Sequence, residues 1–144
     1  MYKTIVASQV RKAYRQISAG EFDEVLKSFA GDVRFQMMGD HRLGGERRGI
    51  DEARAWFEEV GRLFPGLRLE AEDVIVSGFP WNTRIATRFR VSASLADGGR
   101  YENRGMQFLR LRWGKAVEDR LYEDTRVLTD AIERQRAAAT EPVV

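Results

Sequence analysis

The apolar positions change period along the chain, and each change marks an element. Ile5, Val6, Val10, Ala13, Tyr14 and Ile17 form one stripe of a helix over Thr4–Ser18, which Gly20 can stop. Phe22, Val25, Leu26 and Phe29 repeat the spacing and predict a second, short helix ahead of Gly31. Val33, Phe35 and Met37 alternate with Arg34, Gln36 and Met38, which predicts a strand. The stretch Gly39–Gly49 is rich in Gly and charge and reads as a loop with room for a short edge strand. Helical spacing returns in Ala53, Trp56, Phe57, Val60, Leu63 and Phe64, from Asp51 to the stop at Pro65-Gly66.

Beyond Leu67 the period falls to two. Leu67–Ser77 reads as a strand whose parity slips near Asp73, the mark of a bulge. Asn82–Ala96 alternates Ile85, Thr87, Phe89, Val91, Ala93 and Leu95 against Arg84, Ala86, Arg88, Arg90 and Ser92. Asp97-Gly98-Gly99 is a hairpin turn, Arg100–Trp113 a long strand, Gly114-Lys115 the next turn and Ala116–Glu123 the last strand. Thr125 can cap a final helix carrying Val127, Leu128, Ala131 and Ile132. One domain is expected over 1–136, with 137–144 a frayed tail. Sequential hairpins predict an antiparallel sheet and an α+β fold. Long, bulged strands wrapped around helices would form a half-open cone with a cavity inside.

Composition narrows the chemistry. A chain of 144 residues, 43% hydrophobic and 32% charged, is globular, and at this size about 68–70% of the unfolded surface can be buried. No stretch approaches the roughly 18 apolar residues of a membrane span. Ser8 and Gln9 interrupt the short apolar run near the start, so no signal peptide is expected. The expectation is a cytoplasmic protein with no membrane partner. The absence of Cys excludes disulfides, thiolate zinc sites, iron–sulfur clusters and cysteine nucleophiles, and a single His excludes a His-rich metal site within one chain. Gly44-Gly45 and Gly98-Gly99 fit no phosphate-binding motif, so no cofactor is implied.

Five segments then carry a family resemblance: Ala19-Gly20-Glu21-Phe22-Asp23, Phe29 to Phe35, Gly49 to Phe57, Leu109 to Lys115, and Glu123-Asp124-Thr125. Together they resemble the SnoaL-like branch of the nuclear transport factor 2-like superfamily, over about Val6 to Ile132. The resemblance implies a strongly curved antiparallel sheet wrapped around helices, a cystatin-like α+β cone. It implies no single activity, because that fold hosts isomerases, cyclases, dehydratases, epoxide hydrolases and non-enzymatic modules. The acid–base positions of the characterised relatives fall at Met37, Gln107 and Leu121, none of them an acid or base. A tyrosine donor falls at or near Ala13, one step from Tyr14.

Strand alternation then selects candidates. If Gln107 faces the cavity, Asn103, Gly105, Leu109 and Leu111 face it too, as do Asp119, Leu121 and Glu123 on the last strand, with Val117 sharing their parity. Asp119 is the candidate acid, because a carboxylate facing an apolar cavity acquires a raised pKa; the other reading pairs it with Arg88, Arg90 or Arg120. His41 is the candidate base, against the reading of an exposed loop histidine. Tyr14, Met37, Trp56, Asn103, Gln107, Leu121 and Glu123 are candidate ligand contacts, while the aromatic and Met positions also suit plain core. No metal ligands are expected.

Charge adds a surface. The net charge is only +2, yet seven Arg stand against two acids from Arg84 to Arg112. Arg88, Arg90, Arg104, Arg110 and Arg112 share the outer face of the sheet with Met106 and Phe108, which predicts a homodimer interface rather than a nucleic-acid stripe. The sequence therefore leads to a cone that binds a small, largely apolar molecule, with cofactor-independent acid–base chemistry. The alternative is a non-catalytic dimerisation or interaction module.

Overall fold

The computed structural model describes residues 1–140. The elements run α1 (Tyr2–Ser18), α2 (Phe22–Leu26), β1 (Phe29–Met37), β2 (Gly45–Arg48), α3 (Gly49–Leu63), β3 (Arg68–Phe79), β4 (Asn82–Ser94), β5 (Arg100–Arg112), β6 (Lys115–Glu123) and α4 (Thr125–Thr140). The strands form one curved, unclosed sheet in the order β2-β1-β6-β5-β4-β3. Four neighbouring pairs are antiparallel, and β1 lies parallel to β6. A parallel pair needs a long crossover, and here α3 and four strands separate the two partners.

Four local outcomes differ from or sharpen the sequence reading. Phe29 opens β1 instead of closing α2, because the Ala116 N–H reaches Ser28 O at 2.7 Å and Phe29 pairs with Ala116. Its burial on the sheet coincided with helical spacing. The bulge expected near Asp73 lies between Ala71 and Asp73. The stretch Gly45–Arg48 forms the short edge strand β2. α4 continues to Thr140, past the expected domain end at Arg136, and positions 141–144 of the expected tail lie outside the described residues.

The sheet curls around α1 and α3. Val6, Val10 and Tyr14 of α1 are buried, and Ser18 Oγ receives the Leu69 N–H at 2.8 Å, which pins the helix end to β3. At its other end Tyr2 Oη meets Thr83 Oγ1 at 2.5 Å. α3 contributes Trp56 and Phe57, whose rings lie 4.6 and 6.0 Å from that of Phe35. Each such side chain contributes roughly 1.5–3 kcal/mol through burial. Among the described residues no helix is long and apolar enough to cross a membrane.

Candidate functional site

Alternation along β5 turns Tyr101, Asn103, Gly105, Gln107, Leu109 and Leu111 onto the inner face of the sheet. On β6 the alternation is broken once. Arg110 pairs with Glu118 and Leu111 with Ala116, so Val117 is an unopposed extra residue. Val117 therefore does not share the inward face, contrary to the sequence reading, whereas Ala116, Asp119, Leu121 and Glu123 do. The inward residues line a cavity of about 500 Å³. Most of its wall is apolar, including Phe35, Met37, Leu43, Trp56, Phe89 and Leu121. Exposed Lys12, Glu24, Lys27 and Gly114 mark its mouth.

Inside this wall lies one continuous polar chain. The Tyr14 hydroxyl donates to Gln107 Oε1 at 2.8 Å, and Gln107 Nε2 donates to Asp119 Oδ1 at 2.9 Å. Asp119 is 3% exposed, and its neighbours across the sheet are Phe35 and Leu109. Burial pushes its carboxyl up to about 7, and only the Gln107 hydrogen bond opposes this. Among the described residues no arginine pairs with it: Arg120 is engaged with Glu118 at 2.6 Å. Burial and the facing Asp119 push the Tyr14 phenol far above its ordinary range, so it stays a neutral donor.

A second polar group lies where β6 meets α4. Tyr101 donates to Glu123 Oε1, and Asn103 Nδ2 reaches Tyr101 Oη at 3.1 Å and Asp124 O at 3.0 Å. Burial raises the Glu123 pKa, while its bonds to Tyr101 and Asn103 oppose the rise. Tyr101 and Glu123 line the cavity, whereas Asn103 stands behind them.

Tyr14, Met37, Trp56, Gln107, Asp119, Leu121 and Glu123 thus share one cavity. The structure does not bring His41 to it. The imidazole Nδ1 accepts the Leu43 N–H at 3.2 Å and Nε2 faces Met38 O at 3.0 Å, so the ring ties the β1–β2 loop together. Trp56 lines the cavity with its ring while its Nε1–H is satisfied by Leu43 O at 2.9 Å. Sequence reasoning missed Tyr101, although it shares the alternation of Asn103 and Gln107. It also missed Leu43, which no periodic pattern marks because it lies in a loop. Among the described residues no three His, Asp or Glu side chains converge as a metal site.

A family model described as "SnoaL-like domain" matches residues 10–119. No curated protein sequence matches the chain. Among solved structures, PrhC from Penicillium brasilianum is 20% identical, with a TM-score of 0.81 over 97% of this chain and 95% of its own. Bal32a, from a soil-derived mobile gene cassette, is 19% identical, with a TM-score of 0.76 over 86% and 93%. IdmH from Streptomyces antibioticus, provisionally described as a polyketide cyclase, is 18% identical, with a TM-score of 0.71 over 88% and 96%. These similarities match the cystatin-like cone built above, and the chain belongs to the SnoaL-like domain family.

Proposed function

We propose that the cavity binds a small, largely apolar molecule bearing a carbonyl or hydroxyl group, and that Asp119 moves a proton on it. The observation that carries this reading is a buried carboxyl with a pKa near 7 on the wall of a cavity of about 500 Å³. At neutral pH such a group is divided between its two forms, so it can both give and take a proton. Gln107 occupies Oδ1, which leaves Oδ2 to exchange the proton with the ligand. Tyr14 fixes the Gln107 amide so that its nitrogen faces Asp119. The apolar wall excludes water and strengthens each of these interactions. Isomerisation, cyclisation, dehydration and epoxide opening all need such a step. The relatives described as polyketide cyclases are consistent with this class.

The test uses small cyclic ketones as probes, 2-tetralone and 2-decalone. In deuterated buffer the protein should accelerate exchange of their α-protons, read by NMR. Asp119→Asn should remove about 10²–10⁴-fold of that acceleration. Exchange at the buffer rate with the ketones demonstrably bound would favour a non-catalytic carrier.

The outer face of the sheet supports a second reading, self-association. Arg88, Arg90, Arg104 and Arg112 have no ion-pair partner among the described residues, while Arg110 is paired with Glu118 at 3.3 Å. Met106 and Tyr122 lie exposed among them, directly across the strands from Arg88 on one rung. Apolar residues there gain from being covered by a second copy. Sedimentation equilibrium of the native chain and Met106→Glu tests this: the native chain should be dimeric and the variant monomeric.

A further inference from the structure

Two hairpin tips meet at the pole of the cone that carries the cavity mouth. The β3–β4 tip presents Phe79 and Trp81, stacked at 5.0 Å, and the β5–β6 tip adds Trp113 at 6.2 Å from Trp81. All three are exposed, at 61%, 55% and 68%. The tips are joined by the Trp113 N–H to Pro80 O, at 2.7 Å. The start of α1 reaches the same pole, because Tyr2 Oη meets Thr83 Oγ1 and Thr83 Oγ1 donates to Phe79 O at 2.7 Å. Gly114, next to Trp113, lines the cavity, and Lys115 holds Lys27 O at the mouth at 2.7 Å.

Two features set this cluster apart from incidental exposure. Trp113 has φ +51, a left-handed backbone that glycine adopts freely and a tryptophan adopts at a cost. A bulky aromatic is therefore displayed where the fold alone would favour glycine. The three chain segments that form the cluster also carry charge of one sign. No Asp or Glu occurs over 1–20, 74–96 or 103–117, the three segments that meet here. Lys3, Arg84, Arg112 and Lys115 are exposed in them, while Glu24 at the mouth is paired with Lys27 at 2.8 Å.

Exposed Trp and Phe ringed by Lys and Arg match the chemistry of an anionic bilayer surface. Amphipathic rings settle at the headgroup level, and the cations meet acidic lipids. We infer that this pole docks on anionic membrane surfaces, with the aromatic tips inserted and the cavity mouth facing the bilayer. Such docking would bring apolar molecules dissolved in the membrane to the mouth without passage through water. The inference concerns the surface and stands whatever reaction the cavity performs. The sequence expectation of no membrane partner rested on the lack of a spanning segment, which says nothing about a peripheral contact.

The test is co-sedimentation with vesicles of phosphatidylcholine alone and of phosphatidylcholine with phosphatidylglycerol, with tryptophan emission read in parallel. The native chain should sediment with the anionic vesicles, shift its emission to the blue, and detach in high salt. Trp113→Gly should keep or raise Tm, since glycine suits the backbone, and should lower the partition coefficient at least about fivefold. Lys3→Gln combined with Lys115→Gln should weaken binding to anionic vesicles alone. No binding of the native chain to either vesicle overturns the inference, as does unchanged binding by Trp113→Gly. A dimer that becomes a monomer in Trp113→Gly, with no vesicle binding by the native chain, assigns the cluster to self-association instead.

Discussion

Gln107 Nε2 lies 2.9 Å from Asp119 Oδ1, across a diagonal of the β5–β6 ladder. Gln107 pairs directly with Leu121 and Asp119 with Leu109, so the diagonal joins two polar groups whose direct cross-strand partners are both apolar. Gln107 thereby holds both the carboxyl and the Tyr14 hydroxyl. Gln107→Leu keeps the volume and removes both bonds. It should cost about 1–3 kcal/mol, because the buried phenol is orphaned. It should also raise the Asp119 pKa further, since the lost bond favoured the charged form. Urea denaturation and carbon-detected NMR titration of the carboxyl check the two effects. An unchanged or lowered pKa would contradict the assignment.

Asp119 should make the protein less stable as pH rises. Its folded pKa of about 7 lies above the ordinary value of 3.8. At pH below the ordinary value both states hold the proton. Between there and pH 7 the unfolded chain has released it and the folded chain has not, so stability falls as pH rises and levels off above 7. Asp119→Asn keeps an acceptor for Gln107 and removes the titration. The variant and native stabilities should nearly coincide at pH 4, while at pH 8 the variant should be more stable by roughly 2–4 kcal/mol. Paired urea curves at the two pH values measure the gap. A gap independent of pH would exclude a raised carboxyl at this position.

The element pattern was legible because burial follows period. The stripe of α1 and the alternation of β4 and β5 predicted which faces turn inward, and Gln107 and Asp119 followed from parity. What could not be read is where parity breaks without a compositional sign. Val117 is apolar, so the β6 bulge left no mark; Asp119 keeps the alternation of Leu121 and Glu123, and only Val117, beyond it, leaves the inward face. The parallel contact of β1 with β6 is also invisible, since β1 carries the same alternation beside either partner. Tyr14 was legible on the α1 stripe, whereas its bond to Gln107 was not, because it depends on the helix position that the Ser18 anchor on Leu69 helps to set. His41 misled for a chemical reason: the only imidazole in a chain attracts a catalytic role, while its actual partners are backbone groups of its own loop.

His41→Ala should leave proton transfer intact and loosen the loop. The imidazole accepts the Leu43 N–H, and Leu43 in turn lines the cavity and satisfies the Trp56 indole. Losing the imidazole should lower stability by about 1 kcal/mol, the net worth of a typical hydrogen bond. The pH dependence of ketone exchange should keep its limb near 7, because that limb belongs to Asp119. Rate–pH profiles of native protein and variant settle the point. Loss of the limb together with the rate would return His41 to the reaction.

Gly105 should tolerate no side chain. A Cβ there would lie 2.2 Å from Tyr122 O, 2.6 Å from the Phe89 ring and 2.9 Å from Glu123 Cγ. The first contact is backbone on the neighbouring strand, which cannot swing aside as a flexible side chain would. Gly105→Ala should therefore cost about 1–3 kcal/mol or more, through displaced strands and off-rotamer neighbours. Gly31→Ala is the control, because nothing lies within 4 Å of a Cβ there. It should be neutral or gain up to about 1 kcal/mol by restricting the unfolded chain. The displacement at Gly105 falls on Glu123, so its hydrogen bond from Tyr101 should loosen as the strands part. Chemical shifts of the Tyr101 ring, compared between the two alanine variants, separate this local effect from general destabilisation. Equal Tm for both variants would show that β5 and β6 can spread at this rung without cost.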